Sequence, residues 1–197
     1  MIQKTQHDQK DGIPATLEAF ECLINCEQPY RYELTQYDLR TRSGIITDMT
    51  GSSWAHAQLI TRALVQFELQ LQSGPCSVIT GQHVSIPEHP TCIPDVVITC
   101  DVGDRNQSGL CKIRSPLLVI EVLSPSTERY DRTEKFQRYQ HCPSLEVYIL
   151  VSQQKRSIEV YRRNCDWKQE VYESGVIRLD VLDLELDIEQ LYQGVLP

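Results

Sequence analysis

Two acids and a lysine in the middle of the chain have the spacing to meet at one edge of a β-sheet. Asp95 begins the apolar run PDVVITC, and Glu121 lies inside the apolar run PLLVIEVL. A buried carboxylate is costly without a partner, so Glu121 requires one. The polar segment that follows carries Asp131, Lys135 and Tyr139 four residues apart, which a helix would place on one face. The sequence therefore predicts that Asp95, Glu121 and Lys135 lie close together.

Three motifs in this region resemble a known family. They are P-D on the first strand, E-V-L-S-P-S-T on the second, and D-x-x-x-K-x-x-x-Y on the helix that follows. Together they resemble the Uma-two-type family of proposed endonucleases, which is expanded in cyanobacteria and belongs to the PD-(D/E)XK nuclease superfamily. The resemblance extends from about Tyr32 to Leu191. It implies a restriction-endonuclease-like fold.

The resemblance also implies a function, a Mg²⁺-dependent endonuclease that hydrolyses DNA phosphodiester bonds. Asp95, Glu121 and the Val122 carbonyl would hold Mg²⁺, for which Mn²⁺ could substitute. Leu123 stands where the superfamily's E-x-K lysine would be, so the resemblance implies that Lys135 takes that role from the helix. Two alternatives stay open: a DNA-associated or regulatory protein that keeps the fold without cleaving, and a purely structural pair of Glu121 with Lys135.

Four further residues are candidates for supporting roles. The resemblance places Glu33 on a strand near the site and His56, in a G-S-x-x-H pattern, near the phosphate or the metal-bound water. A strand-face acid and a hydrogen-bonding residue of a first helical turn are the alternatives. D-R-T-E at Asp131 has the form of a capping box, so we expect Asp131 to begin the helix and prefer that explanation to catalysis. Tyr139 would share the face of Lys135.

The charge balance limits the kinds of nucleic-acid binding that are expected. A net charge of −8 argues against a protein that coats nucleic acid non-specifically, but a site that binds divalent cations itself requires clustered acids. Two clusters of basic residues could contact phosphates or could be solvated charged faces. They consist of Arg129, Arg132, Lys135 and Arg138, and of Lys155, Arg156, Arg162 and Arg163.

The cysteines and the N-terminal residues indicate the cellular compartment in which the protein is expected. Eight cysteines occur without a C-x-x-C pair, and MIQKTQHDQKDG lacks the apolar core of a signal peptide. We therefore expect a cytoplasmic protein in which most cysteines are reduced, with Cys22 and Cys26 the one pair at helical spacing. The longest apolar runs are too short to cross a bilayer, so no membrane partner is expected.

The element pattern predicts an α/β (α+β) domain in which helices flank a mixed, twisted central sheet. Residues 1–12 are expected to be a disordered tail and residues 13–197 a single domain. A first helix capped by Thr16, a β-hairpin, and a long helix capped by Ser52 or Ser53 and stopped by Gly74 precede the motifs. Two paired domains of this class can contact a longer stretch of duplex than one domain can. We therefore expect a homodimer that binds DNA.

Overall fold

The computed structural model describes residues 12–25, 31–49, 51–105 and 112–196. These residues divide into two compact units, one ending at residue 49 and the other beginning at residue 51, and each is described by itself. The predicted tail lies outside the described residues except for Gly12. The prediction of one domain over residues 13–197 stays a prediction.

The N-terminal unit is a three-stranded antiparallel sheet with one helix. Its elements are β1 (Ile13–Thr16), α1 (Leu17–Ile24), β2 (Tyr32–Asp38) and β3 (Ser43–Asp48), with sheet order β1-β3-β2. The Thr16 hydroxyl caps α1 by accepting the Ala19 N–H at 3.2 Å, and Phe20 and Leu34 are fully buried at its centre. The predicted cap, helix and hairpin are confirmed, whereas β1 was not predicted.

The C-terminal unit contains the residues of the candidate site. Its helices are α2 (Trp54–Leu71), α3 (Val102–Arg105), α4 (Glu128–Tyr130), α5 (Phe136–Tyr139) and α6 (Ile188–Tyr192). Its strands are β4 (Ser77–Ile79), β5 (His83–Ile86), β6 (His89–Cys92), β7 (Val96–Thr99), β8 (Lys112–Ile113), β9 (Pro116–Leu123), β10 (Val147–Ser152), β11 (Ile158–Arg162), β12 (Gln169–Tyr172), β13 (Val176–Leu179) and β14 (Leu184–Asp187). A π-helical turn, Asp131–Lys135, joins α4 to α5. Together these three segments, residues 128–139, are called the site helix.

A six-stranded mixed sheet, ordered β12-β11-β10-β9-β7-β4, forms the centre of this unit. β9 and β10 are parallel and are connected through the site helix, while the other neighbouring pairs are antiparallel. Two small sheets, β6-β5-β8 and β13-β14, accompany it. The predicted fold class, a mixed central sheet with flanking helices, is confirmed.

Each face of the central sheet buries its own apolar cluster. Ile120 and Val122 pack in one cluster with Leu59 and Phe67 of α2. Val119 belongs to the cluster of the other face, with residues of the site helix. Because side chains alternate along a strand, Glu121 lies on the site-helix face of β9. Ser53 caps α2 and Gly74 follows its end, as predicted.

The site helix begins four residues earlier than the capping-box pattern indicated. Its N-cap is Thr127, and the amide of Glu128 donates to the Ser124 carbonyl at 2.8 Å. Asp131 has helical dihedral angles (φ −62°, ψ −36°), and its amide donates to the Thr127 carbonyl. A residue with helical dihedral angles whose amide donates to the carbonyl four residues earlier lies inside a helix and not at its start. The prediction that Asp131 starts the helix is therefore wrong.

Two arginines of the first basic cluster form internal ion pairs. Arg132 pairs with Glu128 and Glu159, and Arg138 is 2 % exposed and pairs with Glu134. These arginines face acids of their own fold, so their charge is neutralised by internal pairs. Contact of the cluster as a whole with phosphates stays a prediction, and Arg129 is its exposed member.

The described cysteines include one disulfide and two free thiols. Cys76 and Cys100, next to the paired residues Ser77 and Thr99 of β4 and β7, are bonded to each other, which the expectation of reduced thiols did not include. The free thiols are those of Cys142, which is buried, and Cys165, which is exposed. Burial raises the pKa of Cys142 to about 12, so its thiol is unreactive. Cys26, the suggested partner of Cys22, lies outside the described residues.

The described parts of residues 104–115 include the end of α3 and the short strand β8, while residues 106–111 lie outside the description. Over the ranges given above, no helix is long and apolar enough to span a lipid bilayer.

Candidate active site

Asp95 lies directly before β7, and Glu121 lies on β9, the antiparallel neighbour of β7 in the central sheet. Val96 of β7 is opposite Ile120 of β9, and one further step of the same register places Asp95 opposite Glu121. Both acids are buried, with 9 % and 3 % of their surface exposed. The strand pairing therefore brings together two carboxylates that the sequence separates by 26 residues.

Lys135 of the site helix lies over these acids. Its Nζ is 2.9 Å from Glu121 Oε1 and 3.8 Å from Asp131 Oδ1, and it donates to the Ile93 carbonyl at 3.2 Å. Lys135 is only 5 % exposed and Asp131 3 %. The burial means that the ammonium interacts strongly with these carboxylates, since little water screens the charges. Sequence reasoning did not identify the Ile93 carbonyl, because a backbone group leaves no signature in a motif.

His56 contacts Asp95 from the first turn of α2. Its Nε2 is 3.3 Å from Asp95 Oδ2, and the same oxygen accepts the Val122 N–H at 2.8 Å. Burial alone would raise the pKa of Asp95. The hydrogen bond and charge of His56, the charge of Lys135 and the Val122 N–H outweigh burial and hold the pKa of Asp95 below its ordinary value.

Replacing His56 with alanine is expected to destabilise the metal-free protein in a pH-dependent way. A carboxyl group whose pKa is lowered by folding contributes stability above its unfolded pKa of about 3.9 and loses that contribution as pH falls through the folded pKa. His56→Ala removes the principal lowering contact. We therefore expect its destabilisation to be greatest near neutral pH and to shrink as acid protonates Asp95.

Urea unfolding in EDTA over a series of pH values would measure this effect. His141→Ala is the control, because His141 is an exposed histidine whose described contacts are the Gln137 carbonyl and the ring of His89, neither of which belongs to the candidate site. A difference between the His56 variant and the parent that stays constant down to about pH 3 would show that the contact does not set the ionisation of Asp95.

Comparison with known proteins identifies the family. A family model described as "Putative restriction endonuclease" matches residues 17–191. The chain belongs to the Uma2 family. The family resemblance indicated by the sequence motifs is thus confirmed. An uncharacterized protein of Synechocystis sp., slr1290, is 35 % identical over 175 residues, which are 83 % of this chain and 90 % of the relative.

Two further comparisons extend this Uma2 assignment. A second uncharacterized Synechocystis protein, sll1609, is 30 % identical over 70 residues, covering 36 % of this chain and 40 % of its own. A crystal structure from Anabaena variabilis, described as a "putative nuclease belonging to DUF820", superposes with a TM-score of 0.71 at 16 % identity. It covers 92 % of this chain and 99 % of that one. At this identity the structural match shows that the fold is shared.

The donor groups of this Uma2 site fit a small hard cation. Within the described ranges, no group of three or more His, Cys, Asp or Glu side chains could hold a metal ion by itself. Mg²⁺ does not require one, because it binds through one or two carboxylates together with water and substrate oxygens. Both Asp95 contacts described above use Oδ2, which leaves Oδ1 for a cation. Asp95 and Glu121 are therefore suitable ligands, and a role for the Val122 carbonyl stays a prediction.

The other predicted residues have different surroundings. Tyr139 is fully buried in the apolar cluster of the site-helix face, with its ring 5.6 Å from that of Tyr148. Glu33, on β2 of the N-terminal unit, is 1 % exposed, and its part in the site stays a prediction. Leu123 is 4 % exposed, so an apolar side chain occupies the E-x-K position.

The π-helical turn of the site helix is held by a tyrosine from the sheet. The Tyr148 hydroxyl donates to the Asp131 carbonyl at 2.9 Å in a buried contact. A π-helical turn replaces the usual i→i+4 hydrogen bonds by i→i+5 ones, and such turns occur frequently at functional sites. Tyr148 therefore contributes to the position of both Asp131 and Lys135.

Tyr148→Phe is expected to lower the free energy of unfolding by about 1 kcal/mol, because it removes one buried hydrogen bond and keeps the stacked contact with Phe136. Urea unfolding would measure the loss. Tyr172→Phe is the control, since its hydroxyl bonds Glu170 at the sheet edge and its removal should cost less than about 0.5 kcal/mol. Equal losses in the two variants would contradict a special contribution of Tyr148.

Proposed function

We propose that this Uma2 protein is an endonuclease that hydrolyses DNA phosphodiester bonds with Mg²⁺, for which Mn²⁺ can substitute. The observation that carries the proposal is the buried cluster of Asp95, Glu121 and Lys135 on adjacent strands and the helix that covers them. The family description and the nuclease description of the Anabaena structure support the same reaction class.

Each residue has a defined part in this reaction. Asp95 and Glu121 would hold Mg²⁺, with the Val122 carbonyl as a third ligand; the bound ion supplies an activated water and neutralises charge on the phosphate. His56 fixes the orientation of the Asp95 carboxylate. Lys135 stabilises the negative charge that develops on the phosphate oxygens as water attacks phosphorus and one P–O ester bond breaks.

A second candidate function is a DNA-associated or regulatory protein that keeps the fold without cleaving. The observation that favours it is the state of Lys135, whose ammonium is already paired with Glu121 while Leu123 leaves the E-x-K position apolar. In that case the cluster would be a structural ion pair, which is a common role for a buried lysine beside two acids.

Cleavage assays distinguish the two candidates. Supercoiled, linear duplex and single-stranded DNA would each be incubated with Mg²⁺, Mn²⁺ or EDTA. The endonuclease proposal requires divalent-dependent cleavage that Asp95→Asn abolishes and that Glu185→Gln retains, since Glu185 of β14 is an exposed acid that pairs with Arg178 and does not line the candidate site. Parent protein that binds DNA and cleaves none of these forms with either metal would favour the second candidate.

A further inference from the structure

The turn between β10 and β11 carries two cations that are not used internally. Lys155 and Arg156 are exposed, and in the described part of the chain neither forms an ion pair with a carboxylate. Their sequence neighbours in the second basic cluster differ. Arg162 pairs with Glu170 at 3.0 Å, and Arg163 donates to the Leu145 carbonyl at 2.6 Å. Of the four residues of this cluster, Lys155 and Arg156 are therefore the two that are available to bind an external anion.

Hydrogen bonds fix this turn in place. The Ser152 hydroxyl accepts the amides of Gln154 and Lys155 at 3.2 and 3.3 Å. The Tyr192 hydroxyl lies 2.8 and 2.9 Å from the carbonyls of Ser152 and Ser157. On the other side, the Gln153 side chain donates to a backbone carbonyl at the end of β9 at 2.8 Å. Because the backbone of this turn is already fixed, little conformational entropy of the turn is lost when its cations bind a ligand.

The turn lies beside the candidate active site. β9 and β10 are parallel, with Leu150 next to Glu121 and Ser152 next to Leu123. The turn thus begins two residues beyond Glu121 along the strand direction, which is about 7 Å at 3.3 Å per residue. A nucleic acid strand carries a phosphate about every 3.4 Å along the helix axis, so this step corresponds to about two nucleotides.

A polar cleft separates the turn from the start of the site helix. Its volume is about 310 Å³, and its lining combines charged and neutral hydrogen-bonding side chains with one apolar residue. The lining residues are Leu123, Glu128, Arg132, Ser152, Gln154 and Lys155. Such a cleft can receive a sugar and base while the neighbouring cations contact the backbone.

We propose that the turn carrying Lys155 and Arg156 is a phosphate-binding element that holds the DNA strand beside the candidate active site, with the cleft receiving an adjacent nucleotide. The inference rests on the proposed function, because it takes DNA as the ligand. A protein with a net charge of −8 repels DNA overall, so local cations without internal partners are the groups that can attract it.

The salt dependence of DNA binding tests this element. Each phosphate contact contributes about −0.9 to the slope of log K against log salt for duplex DNA, so Lys155→Ala/Arg156→Ala should reduce the slope of the parent by about 1.8. The measurement is fluorescence anisotropy with a labelled duplex in EDTA at several KCl concentrations. EDTA prevents cleavage from affecting the binding curve.

The control variant Arg114→Ala/Lys168→Ala removes the same charge from the opposite end of the sheet. Both residues are exposed, one before β9 and the other between β11 and β12. It should keep the parent slope. Equal slopes for the two variants, or no duplex binding by the parent at any salt concentration, would overturn the inference.

The same experiment separates the inference from the proposed function. A parent protein that binds DNA with a slope dependent on the turn, and that never cleaves with Mg²⁺ or Mn²⁺, would refute the endonuclease proposal and leave the phosphate-binding element standing. Cleavage by a parent whose slope is unchanged by the Lys155 and Arg156 substitutions would retain the endonuclease and refute the element.

Discussion

Replacing Lys135 with alanine is expected to reduce Mg²⁺-dependent DNA cleavage by about a hundredfold or more, which is the usual effect of removing one electrostatic stabiliser of a transition state. Its Nζ is the cation nearest to Glu121 among the contacts described, at 2.9 Å. Leu123 cannot substitute, because its side chain carries no charge. Single-turnover cleavage of plasmid DNA would measure the loss.

The same variant is also expected to lose about 3–5 kcal/mol of stability, because it leaves buried Glu121 and Asp131 without the ammonium between them. Activity must therefore be measured at a temperature at which circular dichroism shows the variant to be folded. Leu123→Lys in the Lys135→Ala background is the informative rescue, since residue 123 lies on the same face of β9 as Glu121. A folded Lys135→Ala protein that cuts at the parent rate would remove Lys135 from the mechanism.

Mg²⁺ or Mn²⁺ is expected to raise the unfolding temperature of the parent, and Asp95→Asn to remove most of that gain. A ligand that binds the folded state alone stabilises it by about 2.7 kcal/mol at a hundredfold excess over Kd. For a chain of this size the shift is about 5–10 °C. The amide oxygen that replaces the carboxylate in this variant can still accept the Val122 N–H, so the substitution removes the charge and keeps the hydrogen bond.

Thermal unfolding followed by circular dichroism gives the shift, and calorimetry gives the affinity. Glu128→Gln is the matched control, because it neutralises an acid of the site helix that is 46 % exposed and pairs with Arg132. Asp95→Asn protein that binds Mn²⁺ as tightly as the parent would place the metal site elsewhere.

The association of the two acids with the lysine could be predicted because burial imposes it. Glu121 stands in an apolar run, and a buried carboxylate must find a cation. Lys135 was the candidate for this cation, because helical spacing places it on one face of the segment that follows the strand of Glu121. The His56 contact with Asp95 depended on how α2 packs against the sheet, so the sequence could place His56 near the site only through the family resemblance.

The capping-box motif was less informative than the burial argument. D-R-T-E is a valid start for a helix, but the residue at which the helix begins depends on other contacts. The turn from Ser124 to Thr127 is closed by its own hydrogen bonds, and Tyr148 binds the Asp131 carbonyl. The internal pairs of the first basic cluster were not predicted for a related reason, since the sequence does not show which acids, such as Glu159 opposite Arg132, lie across the fold.

Because a π-helical turn holds one residue more than the α-helical turn it replaces, the site helix has the form of a regular helix with a one-residue insertion at Asp131–Lys135. Forcing this turn into regular α-helix without a deletion would rotate the two halves of the helix by about 100° relative to each other, whereas deleting one residue there would restore the regular pairing and keep their faces in register. A relative with a regular helix would need one residue fewer between its acid and its lysine to keep the same contact. An alignment of the two chains without a gap would then pair Lys135 with a residue on another face of the relative's helix. The equivalent lysine is therefore better identified from its position in the helical turn than from the number of residues that separate it from the acid.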